Sequence, residues 1–203
     1  MSTGAENANA SITGELIWPD EGGVAWVFGY GSLMWEPGFP YLERRRALLI
    51  GYHRSLCILS IRNRGTVERP GLALGLDRGG ACRGFAFRIH PDDVEAARVY
   101  LWEREMSHGV YVPKSLPVRF PDATRTRALV FVARLGHPQY VRDDEHERAA
   151  ELVAQGVGIC GTALDYLRNV VGHLDEFGIA DCPLHRVLIR AEAIAVRNRG
   201  DTA

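Results

Sequence analysis

Five short apolar stretches follow one another over residues 24–29, 47–52, 55–61, 71–76 and 83–89, each bounded by glycine, proline or asparagine. Apolar runs of this length with such punctuation read as strands. Pro91-Asp92-Asp93 then opens a helix, because proline suits a first-turn position and the two carboxylates favour the positive end of the helix dipole. That helix is predicted to run to about Glu105. Residues 110–120 and 128–135 return to strand character, while 143–155, 161–177 and 183–190 read as helices. The order is strands, one helix, strands, then helices. It lacks the regular strand–helix alternation of a doubly wound sheet, so the pattern predicts an α+β fold with an antiparallel or mixed sheet.

Residues 1–22 are rich in small and polar types and read as a tail, leaving 23–200 as a single domain. A chain of 203 residues can bury a core without disulfides or metal. The longest apolar stretches, such as 128–133, are far too short for a membrane span, and the polar start does not read as a secretory signal. Net charge is −1, which argues against a dedicated nucleic-acid or membrane-surface protein. Cys57, Cys82, Cys160 and Cys182 form no C-x-x-C pair and have no histidine at zinc spacing, so reduced thiols in the cytoplasm are expected. The seven histidines show no H-E-x-x-H or comparable spacing, so no metal site is expected.

Chemistry concentrates at three places. At about 100° per residue, Val94, Leu101 and Glu105 share a narrow helical stripe, whereas Glu103 projects to nearly the opposite side. Burial and the negative end of the helix dipole both raise the pKa of Glu105, as a carboxyl acid or base working near neutrality requires. A helix-end cap, or a pair with an arginine such as Arg104 or Arg64, accounts for the same position without catalysis. Directly after the first strand, Gly29-Tyr30-Gly31-Ser32-Leu33-Met34 can expose consecutive N–H groups as a nest for a carboxylate or oxyanion, although an ordinary strand-to-loop turn has the same composition. Ser32 lies in no G-x-S-x-G elbow and is read as a binding residue.

Between Arg44 and Arg69 there are seven arginines and one acid, Glu68, which suits an anionic ligand. Arg44-Arg45-Arg46 reads as a solvated face, and Arg62-Asn63-Arg64-Gly65-Thr66 as a loop where binding groups are often placed. Gly156–Gly161 fits G-x-G-x-x-G but follows a predicted helix instead of a strand, so a helix-to-helix turn is the better reading.

Together the motifs Val27-Phe28-Gly29-Tyr30-Gly31-Ser32-Leu33-Met34-Trp35 and Tyr100-Leu101-Trp102-Glu103-Arg104-Glu105 resemble the ChaC-like γ-glutamylcyclotransferases. Those enzymes carry a Y-G-S-L turn after the first strand and an R-E pair ending a later helix. The likeness covers about residues 24–190, including Gly51-Tyr52-His53-Arg54, Arg64-Gly65-Thr66, Pro70-Gly71-Leu72 and Gly109-Val110-Tyr111-Val112-Pro113. It departs at residues 158–166, where a Pro-Ser-Gly turn and Asn-Glu-Tyr-Leu are replaced by Ile159-Cys160-Gly161 and Asp165-Tyr166-Leu167.

The resemblance implies a cytosolic enzyme on a barrel-like α+β fold, cleaving glutathione to 5-oxoproline and cysteinylglycine without metal or cofactor. Glu105 would shuttle the proton. The amides of Gly29, Tyr30, Gly31, Ser32, Leu33 and Met34 would hold a carboxylate or oxyanion. Tyr111 would orient Glu105 or the ligand, and Arg62 or Arg64 would meet the glycine-end carboxylate. Two other readings stay open: a cyclotransferase for a different γ-glutamyl peptide or amine, and a noncatalytic sensor of a small anionic metabolite.

Overall fold

The computed structural model describes residues 25–142 and 146–200; the tail expected over 1–22 lies outside them. Five strands close a barrel: β1 (Ala25–Gly29), β2 (Glu43–Ser60), β3 (Gly71–Ile89), β4 (Tyr111–Arg119) and β5 (Arg125–Ala133), in the order β1-β3-β2-β4-β5. All neighbours are antiparallel except β1 and β5, which meet in parallel at Val27 and Leu129. Closure removes the sheet edges that would otherwise template aggregation. β5 is buried at each of its last six positions, as a continuous apolar run requires of a strand covered on both faces.

Two expected pairs of strands are single long ones. The segments predicted at 47–52 and 55–61 belong to β2, and those at 71–76 and 83–89 belong to β3. The reason lies in three glycines, Gly51 within the first predicted segment and Gly79 and Gly80 between the last two. Gly51, Gly79 and Gly80 all have positive φ, and the β2–β3 register slips between Ile50 and Tyr52. They form a bulge inside a continuing hairpin where the sequence reading expected chain breaks. A second slip falls between Ser55 and Ile58.

Helix α1 (Val94–Met106) follows a 3₁₀ turn at Pro91–Asp93, where His90 Nδ1 accepts the Asp92 N–H. Helix α2 (His146–Gln155) falls within the predicted 143–155, whose first three residues are outside the described set. The expected helix-to-helix turn is instead a two-stranded ribbon, β6 (Val157–Gly158) with β7 (Gly161–Thr162). Helix α3 (Ala163–Glu176) therefore starts two residues later than predicted, capped by Thr162 Oγ1 accepting from the Asp165 N–H.

The last helix, α4 (Cys182–Gly200), is longer than the expected 183–190. Its polar second half is held by ion pairs to other helices, Arg190 with Glu147 and Glu192 with Arg168. The core gathers Phe28, Leu49, Phe87, Leu129 and Phe131 of the barrel with Leu101, Leu167, Val170 and Leu174 of the helices. Among the described residues no helix is long and apolar enough to cross a membrane.

Candidate active site

The chain leaves β1 at Gly29, which is paired in the sheet with Phe85. It then makes a 3₁₀ turn over Ser32–Met34, whose Leu33 and Met34 side chains are buried in the core. The Met34 N–H donates to the Gly31 carbonyl at 2.9 Å, and the Glu36 N–H to the Ser32 carbonyl at 2.8 Å. The amide nest expected of six residues is accordingly narrower. Gly29 belongs to the sheet and Met34 to the turn's own hydrogen bonding. Tyr30, Gly31, Ser32 and Leu33 remain, lining a hollow of about 40 Å³ with Leu74, Glu105, Tyr111 and Phe131.

Two arginines hold this turn from opposite sides. Arg54 of β2 is buried, and it donates from Nε to the Tyr30 carbonyl at 2.6 Å and from Nη2 to the Arg83 carbonyl at 2.7 Å. Its charge is matched by Asp181 just before α4, at 2.7 Å. A buried guanidinium is tolerable when paired and hydrogen-bonded in this way. Arg104 donates from Nη2 to Ser32 Oγ at 2.9 Å and from Nη1 to the Glu36 carbonyl and the Tyr100 hydroxyl, strapping α1 to the turn.

Glu105 sits in the last turn of α1 with its side chain 16% exposed, while Glu103 is exposed. Burial raises its pKa, opposed by Arg104, whose Nε lies 3.4 Å from Oε1. The arginine pair foreseen as a noncatalytic explanation is therefore present, and the carboxyl still lines the hollow. Among the described residues it is the only acid there. Burial also raises the hydroxyl pKa values of Tyr30 and Tyr111 well above their ordinary range, and that of Tyr166 to about 12. These hydroxyls stay protonated, which leaves Glu105, its pKa held above the ordinary carboxylate range by burial, as the acid of the hollow among the described residues.

Tyr111 lies at the start of β4 and donates its hydroxyl to the Leu74 carbonyl at 2.7 Å. The Tyr166 hydroxyl accepts the Leu74 N–H at 3.3 Å. Leu74 falls where the β2–β3 register slips, which frees its backbone groups for the two tyrosines. Tyr111 thus spends its proton on the backbone and does not donate it to Glu105.

The hollow opens into a cleft of about 570 Å³ that shares Ser32, Glu105 and Tyr111 with it, and Arg62 and Arg104 line that cleft. Arg64 does not. Its guanidinium donates to the Cys160 carbonyl and lies 5.2 Å from the centre of the Tyr166 ring. The two arginines of the loop therefore part company, Arg62 to the cleft and Arg64 to the turn at 158–161. Backbone bonds join the same segments, Ile159 N–H to the Arg62 carbonyl and Cys160 N–H to the Asn63 carbonyl. A Cβ on Gly158 would lie 2.4 Å from the Arg62 carbonyl oxygen, so the G-x-G pattern there reflects close backbone contact. Arg54 and Tyr166 support the site without any local sequence signal that marks them for it. No spacing in the sequence links either of them to Tyr30 or Leu74.

A family model described as ChaC-like protein matches residues 25–192. The glutathione-specific gamma-glutamylcyclotransferase of Escherichia coli (strain K12) is 35% identical over 198 residues, covering 97% of this chain and 85% of that protein. The Schizosaccharomyces pombe protein of the same name is 31% identical over 191 residues, covering 84% of this chain and 92% of that protein. The crystal structure of a gamma-glutamylcyclotransferase specific to glutathione from yeast superposes with a TM-score of 0.77 at 19% identity, covering 84% of this chain and 96% of that one. That last likeness is one of fold.

Proposed function

The chain belongs to the ChaC-like protein family, and from that premise we propose that it is a glutathione-specific γ-glutamylcyclotransferase with Glu105 as general base and acid. The observation that carries the role is that Glu105, the one acid of the hollow, shares it with the turn from Tyr30 to Leu33.

Glutathione lies in the cleft, whose volume of about 570 Å³ suits a tripeptide, with its folded γ-glutamyl arm against Ser32, Glu105 and Tyr111 at the mouth of the hollow. The Glu105 carboxylate takes a proton from the substrate's α-ammonium group. The freed nitrogen attacks the γ-carbonyl carbon, closing a five-membered ring and placing negative charge on the carbonyl oxygen. Backbone N–H groups of the Tyr30–Leu33 segment stabilise that oxyanion, a contribution of about 3 kcal/mol per donor. When the γ-amide C–N bond breaks, Glu105 returns the first proton to the departing cysteinyl nitrogen and relays the second proton of the ring nitrogen the same way, so the lactam keeps one N–H and cysteinylglycine leaves as the ammonium. The products are 5-oxoproline and cysteinylglycine, and no water is consumed. Bringing amine and carbonyl together in a confined pocket lowers the barrier further, by pre-organisation. Arg62 faces the glycine-end carboxylate, and Tyr111 shapes the hollow as a hydroxyl anchored on Leu74.

We place this activity in the cytoplasm, where four unpaired cysteines and a thiol substrate are compatible with the reducing poise. The partner is the small peptide alone, without nucleic acid or membrane. Glu105→Gln keeps the shape and removes the proton carrier, so 5-oxoproline release followed by mass spectrometry should fall about 10³-fold while glutathione still binds. Near-normal release from that variant would overturn the role. Release from γ-glutamyl-alanine or γ-glutamyl-ε-lysine as fast as from glutathione would overturn the substrate assignment alone.

A further inference from the structure

A second cleft, of about 540 Å³, shares no lining residue with the first. Its floor is the outer face of the barrel where β2 runs between β3 and β4. Leu48 is paired with Arg83 on one side and with Arg119 on the other, and Arg46 precedes it by two residues. Side chains alternate along a strand and match across it, so register alone collects three arginines on one face around one leucine. All three are exposed, and among the described residues none has a carboxylate partner.

The nearby acid does not neutralise them. Asp122, in the β4–β5 turn that closes one side, is bound to Arg45 at 2.6 Å, and the Arg45 guanidinium lies 3.9 Å over the Phe120 ring. Arg44 likewise lies 4.6 Å from the centre of the Phe85 ring, so the stretch expected to be a freely solvated face is partly packed. Gly178 and Ile179, between α3 and α4, form the opposite rim, and Phe120, Pro121 and Ile179 give the cleft apolar walls. Like charges gathered on one face repel; none of the three lines the catalytic hollow, and Arg46 alone meets a core ring, 5.9 Å from the centre of Phe85. A guanidinium presents a planar fork that matches phosphate oxygens two at a time.

We propose that this cleft binds a small organic molecule carrying two or more phosphoryl groups, with the phosphates on Arg46, Arg83 and Arg119 and the organic body against Leu48, Pro121 and Ala123. The multiple charge of linked phosphates satisfies three cations in a small volume. The apolar walls give the remainder of the ligand a surface to cover. The site does not rest on the cyclotransferase reading: no side chain lining one cleft lines the other, and Arg83 meets the catalytic turn's support only through its backbone carbonyl, which accepts from Arg54.

The test is isothermal titration of metal-free adenosine triphosphate and of pyrophosphate at physiological salt into the full chain, Arg119→Ala, Arg83→Ala and, as a control outside the cleft, Arg186→Ala. Both probes should bind saturably, the nucleotide more tightly, and each cleft variant should weaken binding by at least about tenfold, whereas Arg186→Ala binds as the parent does. All variants should keep the parent's circular dichroism, and Arg119→Ala and Arg186→Ala should also keep its 5-oxoproline release. Should Arg119→Ala fail to fold, Arg119→Lys keeps the charge without the fork and should still weaken the nucleotide. Absence of saturable binding at millimolar probe, or binding that survives both Arg83→Ala and Arg119→Ala, overturns the proposal. Equal affinity for the two probes overturns the assignment of an organic body.

Discussion

The barrel carries two clefts of nearly equal volume, about 570 and 540 Å³, one with an acid among its arginines and one with arginines alone. Around Glu105 the charges are matched to nearby groups. Arg104 contacts the glutamate, a serine hydroxyl and a carbonyl, and Arg54 binds two carbonyls and Asp181. In the other cleft Arg46, Arg83 and Arg119 have no such partners among the described residues. Partnered and partly buried polar groups hold a geometry and leave one group free to titrate, which suits chemistry. Unpartnered cations on an open face attract an anion and do little to position a reaction. A cleft's size therefore says less about its use than whether its charges are already answered.

The largest effect that would break this contrast is expected at Arg54, which touches both regions through the carbonyls of Tyr30 and Arg83. Arg54→Met leaves Asp181 without its partner and should cost about 3–5 kcal/mol in urea unfolding, with activity lost in parallel. Arg54→Met combined with Asp181→Leu should recover part of that stability. Next comes Tyr111→Phe, which leaves the Leu74 carbonyl unpaired inside the site and should cost about 1–3 kcal/mol by the same measurement. No loss in that variant would mean that the hollow is wetter than its geometry implies.

A finer distinction comes from pH. The folded pKa of Glu105 is raised, chiefly by burial, so between the unfolded value and the raised one the native state holds more protons. Stability from this group therefore falls as pH rises through that window. Glu105→Gln should be more stable than the parent at neutral pH, with the gap closing in acid. The carboxylate form is the base, so kcat/KM of the parent should drop as pH falls through the same raised pKa. Smallest of all, Arg190→Ala removes an exposed pair with Glu147, far from either cleft, and should change stability by less than about 1 kcal/mol.

Local chemistry made much of the molecule legible. The proline–aspartate opening of α1, the apolar run of β5 and the inward stripe carrying Glu105 depend on neighbours within a few residues, and the structure has all three. The errors share one cause. Gly79 and Gly80 look like a chain break from their composition, but whether a positive-φ glycine ends a strand or bulges within one depends on the strand paired opposite, here at Gly51. Arg64 and Arg62, two residues apart, read alike; the turn at 158–161 alone separates their roles. Likewise, the Met34 amide looked available until the carbonyl of Gly31 took it.

By itself the sequence determined the order of elements, the acid on the buried stripe and the glycine-flanked turn, because these rest on periodicity and backbone preference along the chain. Only the tertiary structure decided that Leu74 would be held between two tyrosines, that Arg54 would lock the turn, and that three arginines from three strands would surround one leucine. Those juxtapositions depend on register between distant segments. Register is set by the packing of the whole barrel, which no local stretch encodes.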